Sequence, residues 1–141
     1  MPSTRRLTGA EILAWVAAYD DAWRSNDPEA VGDLFSEDGI YHLGPWEGPW
    51  RGFTGPIVGR PAIAQLWTST FDPDERFEAD AEVVAIDCRR AVVRRTISHE
   101  STVGHPAARY GWIWVLDFDE GGRCREYQEW YVKEPMSESA G

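Results

Sequence analysis

Two hydrophobic periods divide the chain. In the first half apolar residues recur every three to four positions: Ile12, Trp15, Val16, Tyr19 and Trp23 form one stripe, Val31, Leu34 and Phe35 a second, and Ile63, Leu66, Trp67 and Phe71 a third. Thr8 and Glu11 have the spacing of a capping box, with Leu7 and Ile12 as its hydrophobic staple, so a helix is predicted over about 9–24. Asp27-Pro28 joins an N-cap to a proline at the first helical position and opens a second helix, which Gly39 stops. A short strand over 40–43 leads into a Gly- and Pro-dense loop over 44–56, where Gly-Pro-Trp occurs twice. Pro61 opens a third helix that Asp72-Pro73 ends.

Beyond residue 76 the period becomes two. Phe77, Ala79, Ala81 and Val83 alternate with Glu78, Asp80 and Glu82, the pattern of a half-buried strand. A turn at Asp87-Cys88 leads to a strand over 91–98, and a polar stretch with Gly104 and Pro106 precedes a long aromatic strand over 109–118. Glu120-Gly121-Gly122 turns into the last strand, 124–132. Helices followed by hairpin-linked strands spell an α+β fold with the helices on one face of a curved antiparallel sheet. Residues 1–135 are expected to be one domain and 136–141 a disordered tail.

Composition narrows the functional classes. At 141 residues and 16.0 kDa the chain builds a core without staples. A net charge of −10 makes nucleic acid and anionic membranes poor partners. No apolar stretch reaches 18 residues and no leader pattern opens the chain, so a soluble, cytoplasmic protein is expected. Cys88 and Cys124 lack the spacing of a disulfide framework or a zinc site, and no metal is expected. Eight tryptophans exceed what a small core needs, so an aromatic surface must line a core, a cavity or an interface.

The order of elements joins four specific segments: Asp27-Pro28, the run Leu34-Phe35-Ser36-Glu37-Asp38-Gly39-Ile40-Tyr41, the 59–63 entry to the third helix, and DEGGRCREYQEWY over 119–131. Together these resemble the nuclear transport factor 2-like superfamily, and within it the SnoaL-like group, over about residues 8–135. The resemblance implies a cone: a curved antiparallel sheet wrapped around an N-terminal helical hairpin and a third helix, enclosing a cavity. It also implies a homodimer through the outer sheet face and no cofactor. That fold hosts ketosteroid isomerase, limonene epoxide hydrolase, scytalone dehydratase, polyketide cyclases and non-catalytic binding modules, so it leaves function open. Against ketosteroid isomerase, Tyr19 matches the oxyanion tyrosine, but the base position falls on or beside Leu43 and the second acid near Trp114. Against limonene epoxide hydrolase, Tyr41 matches the strand tyrosine, Glu129 the last-strand acid and Arg94 or Arg95 the arginine. The second acid is missing, since Thr96 and Ile97 follow the arginines.

Strand parity chooses between those arginines. Ala91, Val93 and Ile97 mark the apolar face, which Arg95 shares and Arg94 does not. An arginine inside needs an acid partner, and Glu129 is the candidate; the alternative is pairing of the arginines across the hairpin with Glu82 or Asp80. His42 adjoins Tyr41 with opposite parity, so one of the two points away from the cavity. His99 and His105 sit in a polar stretch and are expected to be solvated. Trp15, Trp23 and Trp67 fall on helical core stripes, and Trp46 and Trp50 on the Gly-Pro loop, either as a packed rim or as a lid. Tyr110, Trp112, Trp114, Leu116 and Phe118 share one face of a strand whose other face, with Gly111, Ile113 and Val115, is also apolar. Such a strand is covered on both faces, which in the cone that the resemblance implies means a cavity on one side and a partner subunit on the other. The candidate catalytic residues are therefore Tyr41, His42, Arg95 and Glu129, and the candidate ligand-binding residues Tyr19, Trp46, Trp50, Trp112, Trp114 and Tyr127. The expected ligand is a small apolar or aromatic molecule. It is either isomerised, cyclised, dehydrated or hydrated by acid–base chemistry, or only bound.

Overall fold

The capping box forms in the computed structural model, which describes residues 6–42, 55–70, 76–100 and 107–134. Glu11 N–H donates to Thr8 Oγ1 at 3.1 Å and Thr8 N–H to Glu11 Oε1 at 3.2 Å, and α1 runs Gly9–Ser25 until Asn26 closes it in the left-handed conformation. Asp27 Oδ1 accepts from Glu29 and Ala30 N–H groups and starts α2, Pro28–Leu34. The third helix, α3, is Arg60–Thr70, with Ile63, Leu66 and Trp67 buried.

The strands are β1 (Phe35–Tyr41), β2 (Ile57–Val58), β3 (Phe77–Ala79), β4 (Glu82–Asp87), β5 (Arg90–His99), β6 (Ala108–Phe118) and β7 (Cys124–Glu134). They form one curved, unclosed sheet in the order β2-β1-β7-β6-β5-β3, with β4 also pairing β5. All pairings are antiparallel except β1 with β7, which is parallel. The helices pack on the inner face, giving the α+β layout that the pattern predicts and that fits the cone the resemblance implies.

Two boundaries differ from the sequence expectation. The second helix stops at Leu34, not at Gly39, and the strand expected to begin at Ile40 begins at Phe35. The helical stripe ran on through Phe35, but partners distant in sequence take its backbone. Arg60 Nε and Nη2 donate to Phe35 O at 3.2 and 3.0 Å, Phe35 pairs with Cys124, and the Ser36 hydroxyl donates to Asp119 at 2.7 Å. Gly39 instead lies where β1 shifts register against β7, because a Cβ there would meet Ser36 O at 3.1 Å. The strand expected over 77–83 is two strands. Asp80 interrupts it by accepting Thr96 N–H on its carboxylate while donating its own N–H to Thr96 O.

The Gly-Pro loop with Leu43, Trp46 and Trp50, Phe71 with the Asp72-Pro73 stop, the stretch with Gly104, His105 and Pro106, and the 136–141 tail lie outside the described residues. Among the described residues, no helix is long and apolar enough to cross a membrane.

Candidate functional site

Register decides which side chains meet on the inner face. Across β5, β6 and β7 the inner rows are Ala91–Leu116–Tyr127, Val93–Trp114–Glu129 and Arg95–Trp112–Tyr131, and Tyr41 of β1 lies beside Tyr127. Helix α1 lays Tyr19 onto this surface. Its ring centroid is 4.8 Å from that of Trp114, 4.6 Å from Trp67 and 5.8 Å from Tyr127, which it stacks. Tyr41 and Tyr127 stack at 4.2 Å, and the Tyr19 and Tyr41 hydroxyls lie 2.9 Å apart in a hydrogen bond.

Glu129 is the acid of this cluster. It is only 8% exposed, and among the described residues no cation pairs with it. Burial pushes its pKa up from 4.5 to about 8, against the Tyr41 hydrogen bond that favours the charged form. At neutral pH the carboxyl is therefore mostly protonated and can donate a hydrogen bond or a proton. Burial also raises the Tyr41 and Tyr127 hydroxyls well above the usual phenol range, and Tyr19 in the same direction, so all three stay neutral donors. The Trp112 and Trp114 indole N–H groups are buried on the same face and, among the described residues, have no hydrogen-bond acceptor.

Parity placed Arg95 inside, and it is 1% exposed, but the expected Glu129 pairing does not form. The partner is Asp20 of α1: Arg95 Nη1 and Nη2 donate to its two oxygens at 2.9 and 2.6 Å. Arg95 Nε donates to Asp80 O at 3.0 Å, and the guanidinium lies 4.6 Å over the Trp114 ring. The cross-hairpin alternative holds for Arg94, which pairs with Glu82. Asp20 was missed as a site residue. The available signal was an acid three residues before Trp23 and four after Val16, on the edge of the buried stripe.

His42 does not join the cluster. Between it and Tyr41, Tyr41 turns inward, while His42 Nε2 meets Glu126 at 2.9 Å on the other face. Trp114 and Tyr127 are buried in the cluster, and Trp112 packs at its open edge 4.7 Å from Tyr131. Among the described residues, no group of His, Cys, Asp and Glu could hold a metal ion.

This topology, with an inward acid on the last strand and tyrosines from α1 and β1, meets an independent match. The model of the SnoaL-like domain family aligns with residues 16–127, which is most of the chain. The chain belongs to the SnoaL-like family. No curated protein matches this SnoaL-like chain. Solved structures do. A protein of unknown function with a cystatin-like fold from Methylobium petroleophilum is 20% identical, with TM-score 0.68, 95% of this chain and 83% of that chain covered. A limonene-epoxide-hydrolase-like epoxide hydrolase from M. tuberculosis is 18% identical, with TM-score 0.63 and coverage of 87% and 84%. A ketosteroid isomerase-like protein from Erwinia carotovora atroseptica is 24% identical, with TM-score 0.61 and coverage of 89% and 96%. At such identities the likeness establishes the fold of this SnoaL-like chain, and its chemistry must be argued from its own residues.

Proposed function

We propose that this SnoaL-like protein binds a small apolar or aromatic molecule carrying an acceptor oxygen and acts on it by cofactor-independent acid–base chemistry, with Glu129 as the acid. The observation that carries the reading is a buried carboxyl, held neutral near pH 7, beside tyrosine hydroxyls. A neutral carboxylic acid and a tyrosine that both donate to one oxygen stabilise the negative charge developing there during enolisation or ring opening. Tyr19, Tyr41 and Tyr127 supply the second donor, and Trp112 and Trp114 supply aromatic surface with unused N–H groups. Arg95 stands behind this set, occupied by Asp20, and His42 is outside it.

The test is turnover of a panel of small cyclic enones and epoxides at pH 6.5, read by mass spectrometry. Wild type is expected to convert at least one, Glu129→Gln to lose about 10²-fold or more and Tyr41→Phe about tenfold. Unchanged turnover in both variants refutes the acid role. One observation favours a purely binding module: the Tyr19 and Tyr41 hydroxyls already satisfy each other. In that case native mass spectrometry retains a small molecule and neither variant alters any conversion.

The outer sheet face supports a homodimer. Ile113 and Trp130 are register partners, Val132 beside them is 71% exposed, and these side chains form an apolar patch on the face opposite the helices.

A further inference from the structure

The Arg95–Asp20 pair is built more thoroughly than a stray internal salt bridge requires. Asp20 occupies both terminal nitrogens of the guanidinium, Asp80 O takes Nε, and the Trp114 ring takes the face. Trp114 is in turn the register partner of Glu129. Arg95 is therefore two strands across and two residues along from Glu129, about 12 Å between backbones, in an interior where charges interact over such distances.

We infer that Asp20 is a positioning residue that neutralises Arg95, so that the Glu129 carboxyl faces its tyrosines without an effective counter-ion. Without Asp20, the positive charge of Arg95 would act on Glu129 and draw off its proton. With it, the two charges largely cancel at the distance of Glu129, while Arg95 still anchors Trp114. Among the described residues, the other titratable groups around Glu129 on this face are neutral tyrosines and, solvent-exposed near the end of β7, Lys133. Tyr19 comes from α1, Tyr41 from β1, and Tyr127 and Tyr131 from β7; Tyr110 of β6 and Lys133 of β7 lie further along the same face. Helix α3 contributes Trp67, which carries no charge. The acid on the first helix thus keeps Arg95 from drawing down the pKa that burial raises on the last strand. This deepens the proposed function and rests on it for its consequence, although the electrostatic link can be measured without any substrate.

The experiment is a pH titration of protein labelled with ¹³C at glutamate side-chain carboxyls, with the Glu129 signal assigned by its loss in Glu129→Gln. Wild type is expected to titrate near 8. Asp20→Asn is expected to lower the midpoint by about one pH unit, Arg95→Gln to raise it by a similar amount, and the double variant to restore it. A midpoint unmoved or raised in Asp20→Asn, or unmoved in Arg95→Gln, overturns the inference. Should one single variant fail to fold, the other and the double variant decide it by the same criteria. A merely structural Asp20 would lower thermal stability and leave the titration in place. A wild-type Glu129 titrating in the ordinary carboxylate range would defeat the acid role proposed above, while the order of the variants would still judge this inference.

Discussion

Replacing Glu129 by glutamine removes a buried proton whose binding is coupled to folding. The side chain is 8% exposed, and burial raises its pKa from 4.5 to about 8. Because the folded state holds this proton more tightly than the unfolded chain, the stability it supports is fully present below pH 4.5. It is lost as pH rises to about 8, where the folded carboxyl also ionises. At 1.36 kcal/mol per unit, a separation of this size is worth about 5 kcal/mol across that window, a large share of a small domain's stability. Glutamine keeps the shape and a hydrogen-bond donor but cannot ionise. Urea unfolding of both proteins at pH steps from 4 to 9 and constant protein concentration isolates the effect, since titrations common to both cancel in the difference. Wild type is expected to match or exceed the variant at pH 4 and to fall below it by several kcal/mol at pH 9, with most of the change between pH 5 and 8. Parallel curves would show that Glu129 ionises without penalty, and the argument for a neutral acid in the cluster would fail.

Two further outcomes test assembly and local structure. Val132→Glu places a charge in the outer apolar patch and is expected to shift wild-type dimer toward monomer in sedimentation velocity, while a wild type that is monomeric at all concentrations removes the outer-face homodimer. Asp27→Ala deletes the side-chain oxygen that accepts the Glu29 and Ala30 N–H groups, and is expected to cost about 1 kcal/mol in urea unfolding at neutral pH, with Asp27→Asn recovering most of it.

Local chemistry carried much of the fold. A capping box, an Asp-Pro start and a change of period from three or four to two depend on neighbours a few residues apart, so they could be read along the chain and located α1, the start of α2 and the long strands. Parity likewise turned Arg95 rather than Arg94 inward and set Tyr110, Trp112 and Trp114 on one face, because alternation is a property of the strand itself. The α2–β1 boundary was not readable in that way. Phe35 continues a helical stripe, and what makes it strand is a carbonyl claimed by Arg60 and a pairing with Cys124, neither of which leaves a local mark.

The candidate site divides along the same line. The sequence and the resemblance supplied the candidate parts, Tyr19, Tyr41, Trp114, Tyr127 and Glu129, and parity marked Arg95 as an inward cation that needs an acid. It could not choose the acid, because a partner for Arg95 depends on how α1 lies across the sheet, and that placement brings Asp20, not Glu129, to the guanidinium. Nor could it choose between Tyr41 and His42, whose opposite parities became inward and outward only when β1 paired with β7. Sequence thus determined which chemistry is available on each face. Tertiary packing decided which charges pair and which groups lose water, and so raised the pKa of one buried carboxyl: ion pairing and desolvation are set by distances between segments that the order of residues does not contain.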